Sequence, residues 1–235
     1  MCSSAPEVLD NRVLRALTPS DLERLRPNLV DVELPVRLPL SRPGRSMGHV
    51  YFIETGFVSM VQPLDDGSSV EVGLIGSEGF VGVHVALGAN SSPSEAMVPI
   101  SGRGWRMPLD VLRAEIEHNR RFRRQVLLFA QALSVQITFS VACNARHRVD
   151  QRLARWLSTA RDRVRGDTMP FSQEFLAMML GCRRAGVTDA IAKLRLAGLI
   201  ESSMGRIVVV DRSGLRAAAC SCYESVKKEY QRLLR

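Results

Sequence analysis

The chain is poor in lysine, histidine, cysteine and aromatic residues, and each shortage removes a class of function. Its four histidines, His49, His84, His118 and His147, are scattered, and no nucleophile–base or metal-ligand spacing accompanies them. No catalytic residue, metal set or cofactor is therefore expected, and an enzyme is not the natural reading. The five cysteines are Cys2, Cys143, Cys182, Cys220 and Cys222. An odd number without a CxxC argues against a disulfide framework and places the chain in a reducing cytoplasm. Cys220-Ser221-Cys222 reads as part of one apolar helix face carrying Cys222, with a redox or metal pair as the other reading. The N-terminus lacks the basic-then-apolar order of a signal peptide. The longest uncharged run, the 18 residues Val126 to Cys143, is interrupted by Gln131, Ser134, Gln136, Thr138 and Ser140, so no membrane span is expected.

What is present is a globular composition, 46% hydrophobic and 24% charged over 235 residues, enough for two domains. The formal charge of +8 is unevenly spread. Residues 1–110 hold 9 basic and 13 acidic residues; residues 111–235 hold 23 and 11. Only the second half is suited to a polyanion. Just 3 of the 32 basic residues are Lys, and arginine richness can track base composition, so the asymmetry carries the inference and the total does not.

The most informative stretch is Phe171 to Ile200. Leu176, Ala177 and Leu180 form one apolar stripe, and Val187, Ala190, Ile191 and Leu194 form a second at helical spacing. Gly181 falls between them, where a sharp turn needs positive φ. Opposite the second stripe lie Arg183, Arg184, Thr188 and Ala192. Leu199-Ile200 and Ile207 to Val210 flank Ser202-Ser203-Met204-Gly205 as a small hairpin, with Arg206 at its base. The pattern is a winged helix-turn-helix. An ordinary helical hairpin would not explain the hairpin that follows or the charge partition. In this reading Arg184 grips guanine through two parallel bonds, Arg183 shares that role or binds phosphate, and Thr188 offers its hydroxyl or methyl to a base edge. Ser172 and Arg206 are phosphate candidates.

Upstream, Thr18, Pro19 and Asp21 mark a helix start, and Val32, Leu34, Val36, Leu38 and Leu40 alternate as one strand. Eleven of the seventeen glycines lie between Gly44 and Gly104, separating the strand-like runs His49–Glu54, Phe57–Gln62, Ser69–Leu74, Ala96–Ile100 and Gly104–Met107. This predicts a closed or two-sheet β-barrel. The insertion from Gly76 to Ser94 reads either as a pocket or as a solvent loop. Residues 1–9 read as untethered. A long helix is predicted from about Asn119 to Asn144. One apolar seam, Phe122, Val126, Phe129, Leu133 and Ile137, is assigned to a partner helix in a homodimer; the other contains Leu128, Ala132, Val135, Phe139 and Ala142, and the alternative is a core helix wholly inside one subunit. A last single helix is expected from Ser213 through Leu233. The domains are thus 1–110, a β-barrel; 111–146, linker and dimerisation helix; and 147–235, winged helix-turn-helix, an α+β architecture.

This order resembles the Crp/Fnr superfamily of bacterial transcription regulators. YFIETGFVSM and GLIGSEGFVG are similar to the strands of its cyclic-nucleotide-binding-like jelly roll, and MLGCRRAGVTDAIAKLRLAGLI to its reading head. The resemblance implies a cytoplasmic homodimer on a two-fold symmetric double-stranded operator, contacting RNA polymerase if it activates. Two departures stand out. Gly82 is followed by Val83-His84 rather than the family's glutamate, and the phosphate position reads Ser94-Glu95-Ala96 rather than Arg-Ser/Thr. A carboxylate there repels a cyclic phosphate, so no dependence on cyclic AMP is expected and the effector is left open. In the reading head, Ala185 replaces the usual acidic reader and Asp189 a later basic one, so the operator sequence does not carry over. Isolated His49 and His84 read as structural rather than haem ligands. A different class of function, a ligand-binding module acting through protein partners, would leave the basic half as a docking surface.

Overall fold

A computed structural model describes residues 9–234, and Cys2 lies outside them. Their contacts divide them into two compact units. One comprises the chain to Met60, Ile75–Leu133 and the end from Tyr230; the other comprises Val61–Leu74 and Ser134–Glu229.

The first unit opens with α1 (Arg12–Arg15) and α2 (Pro19–Leu25). Leu9, read as untethered, is buried. Asn11 caps α1: its side-chain oxygen accepts from the backbone N–H groups of Val13 and Leu14, and its amide donates to the carbonyls of Ile53 and Gly79. A wholly buried amide is thereby satisfied on every side. Thr18 caps α2 as expected, accepting from Asp21 N–H at 3.1 Å.

The strands are β1 (Val30–Leu34), β2 (Pro39–Ser41), β3 (His49–Pro63), β4 (Ser69–Ile75), β5 (Phe80–Val81) and β6 (Glu95–Pro108). They pair in the order β1-β6-β3-β4, with β2 also on β6 and β5 on β3. The alternating run from Val32 to Leu40 is not one strand. It breaks after Leu34 into a turn in which Leu38 N–H donates to the Pro35 carbonyl and Arg37 takes φ 69°. Prolines at 35 and 39 cannot donate to a ladder, and Val36 is left exposed. Conversely, the expected pairs of short strands fuse into the long β3 and β6. Gly56 (φ 74°) and Gly102 let the two backbones approach where they would otherwise end. A Cβ on Gly102 would stand 1.9 Å from the Thr55 carbonyl oxygen.

The Gly76–Ser94 insertion is not a plain solvent loop at its base. It carries β5 and the short α3 (Val83–Ala86), and buries Phe80, Val81 and Val85. Gly79 lies so close to the Phe129 ring that a Cβ would sit 1.9 Å from it. Burial on this segment also pushes the His84 pKa down.

After α4 (Leu109–His118) comes α5, 27 residues from Arg120 to Arg146. Its length and apolar composition would suffice to cross a membrane. In the first unit, however, Phe122, Val126, Phe129 and Leu133 turn inward, with Phe122 6.4 Å from the Phe52 ring and Phe129 5.5 Å from Phe80. The seam assigned to a partner is therefore the protomer's own core up to Leu133, and Ile137 is half-buried. Both seams are apolar, and the strands supply the rings that select this one. The uncovered face runs along Leu127, Gln131, Ser134, Thr138 and Val141, at alternating steps of four and three.

The second unit contains the hairpin Val61–Leu74, the end of α5, α6 (Val149–Arg161), β7 (Thr168–Met169), α7 (Gln173–Leu180), α8 (Arg184–Leu196), β8 (Ile200–Ser203), β9 (Arg206–Val209), α9 (Arg212–Ala218) and α10 (Cys222–Leu233) as far as Glu229. The hairpin turns at Asp65-Asp66-Gly67, as its composition predicts, with Leu64 N–H bonded to the Ser68 carbonyl at 2.9 Å. Gln136 pairs with both backbone groups of Leu74, at 2.7 and 3.0 Å. Trp156 stands edge-on to Phe171 at 5.1 Å and donates to Glu71 at 2.7 Å. The expected single C-terminal helix is two: it stops at Ala218, runs extended through Ala219 (φ −68°, ψ 152°) and restarts at Cys222.

Candidate nucleic-acid interface

α7 and α8 are the two helices of the hairpin read from the apolar stripes. Ser172 caps α7, its oxygen accepting from Phe175 N–H at 3.1 Å. Its hydroxyl proton remains able to donate outward. α7 ends at Gly181, whose φ of 56° is the left-handed conformation the turn needs. A Cβ there would also lie 2.7 Å from the Val70 side chain. The buried Arg152 donates to the Leu180 carbonyl, placing a cation where the last carbonyls of α7 are otherwise unbonded.

On α8, Val187, Ala190, Ile191 and Leu194 are buried, all four within the predicted stripe. The opposite side exposes Arg183, Arg184, Thr188, Ala192 and Arg195. The Thr188 hydroxyl donates to the Gln173 side chain at 2.8 Å, which ties the first turn of α7 to the outer face of α8. β8 and β9 pair in register, Ser203 opposite Arg206, around a two-residue turn of Met204 (φ 44°) and Gly205 (φ 73°). Two positive φ angles make this the tight primed turn that suits a hairpin's twist. β7 completes a three-stranded sheet, β7-β9-β8.

A groove runs between the start of α7, the outer face of α8 and the hairpin tip. Ser172, Gln173, Arg184, Thr188, Arg195 and Met204 are among its lining. Three of the five predicted residues, Ser172, Arg184 and Thr188, thus meet on one surface. Arg183 and Arg206 are exposed outside this lining, and Arg206 stands beside the hairpin's turn, opposite Ser203, rather than at its base. Sequence reading missed Gln173 and Arg195. Arg195 repeats the face of Arg184 and Thr188 after three turns, so its period was available; Gln173 comes from another helix and carried no signal.

Arg183, Arg184, Arg195 and Arg206 have no ion-pair partner among the described residues. Several other cations in the unit are occupied. Asp167 holds Arg212 at 2.6 Å and Arg161 at 2.9 Å, and these two guanidinium groups keep its carboxyl well below the usual carboxylate range. Asp162 accepts from Arg216 and from the Tyr223 hydroxyl. Burial, then this bond to an anion, push the Tyr223 pKa up. These four free guanidinium groups thus belong to α8, its N-cap and the hairpin. Glu174 and Asp189 are the exposed acids near it.

The sequence of residues 151–218 matches the model of the Crp-like helix-turn-helix domain. Residues 151–218 are a Crp-like helix-turn-helix domain. It spans α6 to α9, and so contains both helices of the groove and its hairpin. Among solved structures, the chain is similar to FixK2 from Bradyrhizobium japonicum, at 16% identity and a TM-score of 0.69, over 82% of this chain and 98% of that one. It is similar to the c-di-GMP-responsive global regulator CLP of Xanthomonas campestris, at 20% identity and 0.67, over 83% and 100%. A transcriptional regulator of the CRP/FNR family from Thermus thermophilus matches at 18% identity and 0.67, over 81% and 98%. The curated proteins give no match. Around its Crp-like domain the chain has the fold of solved Crp/Fnr transcription regulators, an α+β fold of N-terminal sheet, long central helix and helix-turn-helix.

Proposed function

We propose that this chain is a cytoplasmic, homodimeric transcription regulator that reads double-stranded DNA through α8. The observation that carries this is the unpaired arginine set around a groove built by a Crp-like domain. Arg184, at the first turn of α8, is the guanine reader; Arg183 and Arg206 meet phosphates; Ser172 donates to a phosphate from its cap position. Thr188 is held by Gln173, so its methyl is the group offered to a base. The dimer forms along the uncovered α5 face, from Leu127 to Val141, in place of the inward seam. Cyclic AMP is not required, because Val83-His84 and Ser94-Glu95-Ala96 supply neither the ribose glutamate nor the phosphate arginine. RNA polymerase is the further partner if the regulator activates.

The test is selection of bound genomic fragments followed by footprinting. Two half-sites about 34 Å apart are expected, one helical turn. Arg184→Ala should weaken operator binding by roughly 1–3 kcal/mol and relax preference at one base pair per half-site. Wild-type affinity and preference in that variant would remove Arg184 from the role. No salt-sensitive DNA binding at all would favour action through protein partners instead.

A further inference from the structure

The break between α9 and α10 has no cause in local sequence. Arg-Ala-Ala-Ala-Cys-Ser-Cys, residues 216–222, contains neither Gly nor Pro, and alanine is the best helix former. Yet the helix stops at Ala218 and restarts at Cys222. A local rule broken in this way points to a tertiary demand. The break carries Cys220 and Cys222 to the end of α5, where Cys143 lies in the last turn and His147 follows directly after it, its N–H donating to the Cys143 carbonyl at 3.0 Å. One donor atom from each of Cys143, His147, Cys220 and Cys222 lies within 4.8 Å of every other. The Cys143 and Cys220 sulfurs are 3.4 Å apart, and Cys222 Sγ is 3.6 Å from His147 Nδ1. A tetrahedral zinc with bonds of about 2.3 Å to sulfur and 2.0 Å to nitrogen would separate its ligands by about 3.5–3.8 Å.

We propose that Cys143, His147, Cys220 and Cys222 form a structural site for one divalent zinc-class ion. The three cysteines are buried, His147 is half-buried, and Phe139 packs against the sulfurs. A closed Cys₃His set with no open position suits a structural ion rather than a catalytic one. The packed sulfurs leave room for one ion and not for a cluster. Charge supports the same reading. Three thiolates around a dication leave one net negative charge in a buried place, which requires a neighbouring cation. Arg155 supplies it: it is 8% exposed, its Nε has no hydrogen-bond partner among the described residues, and its charge acts on both Cys143 and Cys222. On binding, three S–H bonds break, three metal–sulfur bonds form, and the protons pass to solvent. Neutral His147 gives its Nδ1 lone pair, and no electron is transferred. The ion pins the start of α10 to the end of α5. The site shares no residue with the DNA groove, so it is independent of the proposed DNA reading.

The full chain, purified without chelator and without added metal, should contain about one zinc per chain by mass spectrometry of the metal. Chelator-stripped protein titrated with Co(II) should develop the visible bands of tetrahedral cobalt thiolate, which Zn(II) then abolishes. Cys222→Ser and His147→Ala should each weaken Co(II) binding about tenfold or more, since even outer-sphere changes at such sites cost 10–100-fold. If either variant fails to fold, the wild-type cobalt spectrum still decides. Folded wild-type protein with no bound metal and no cobalt spectrum would overturn the site. So would a Cys143–Cys220 disulfide as the isolated state. Neither readout involves DNA.

Discussion

Asp167 shows how single side chains organise the reading unit. It sits just before β7 and draws in one arginine from the end of α6 and one from the start of α9. Its depressed carboxyl contributes stability that is complete above the unfolded carboxylate range and is lost as pH falls through the lower folded value. Asp167→Asn removes that contribution, so the variant should melt lower near neutrality and its melting point should fall less on acidification than the wild type's. Thermal melts from neutrality to about pH 2 check this; parallel wild-type and variant curves would show that the pairs add nothing. The same residue explains why the groove stays positive: Asp162 and Asp167 are spent on arginines away from α8. Sequence inspection could rank Arg184 because helical period sets its face. It could not find Gln173, whose place beside Thr188 depends on how two helices cross.

Among the elements, α5 carries the clearest lesson. Its two seams were both visible as apolar periods, but periodicity says nothing about which side the rings of β3 and β5 will meet. Phe122 and Phe129 went to those rings, and the dimer surface proposed here is the milder stripe through Leu127 and Val141, both exposed. Val141→Glu places two like charges near a two-fold axis in that arrangement. It should shift the protein to monomer and weaken operator binding while leaving the fold intact, as read by analytical ultracentrifugation and circular dichroism. An unchanged dimer would place the interface elsewhere. Legibility failed in the same way at β3 and β6. Gly56 and Gly102 looked like strand ends, because a glycine that permits close backbone approach is indistinguishable in sequence from one that makes a turn. The division of the last helix was equally hidden, since its cause lies more than seventy residues away, at Cys143. Capping residues and the turn at Gly181 were legible because their causes are local.

For the molecule as a whole, the contrast between a mildly acidic N-terminal half and a basic C-terminal half was readable from composition and bears on affinity. If each head neutralises about three phosphates, the logarithm of the binding constant should fall with the logarithm of salt with a slope of about −5. Arg206→Ala should make that slope shallower by about 2 for a dimer while leaving base preference unchanged. A slope indifferent to salt would argue that the basic half meets something other than DNA. The hairpin behind Arg206 sets a further limit. It closes in two residues, and its apex is a fully exposed methionine followed by glycine, with its one arginine directly after the turn. Such a short finger places a single exposed cation beside its tip. On the proposed site it can therefore hold one phosphate per half-site and no more, so the flanking DNA beyond that phosphate would stay open to a neighbouring protein.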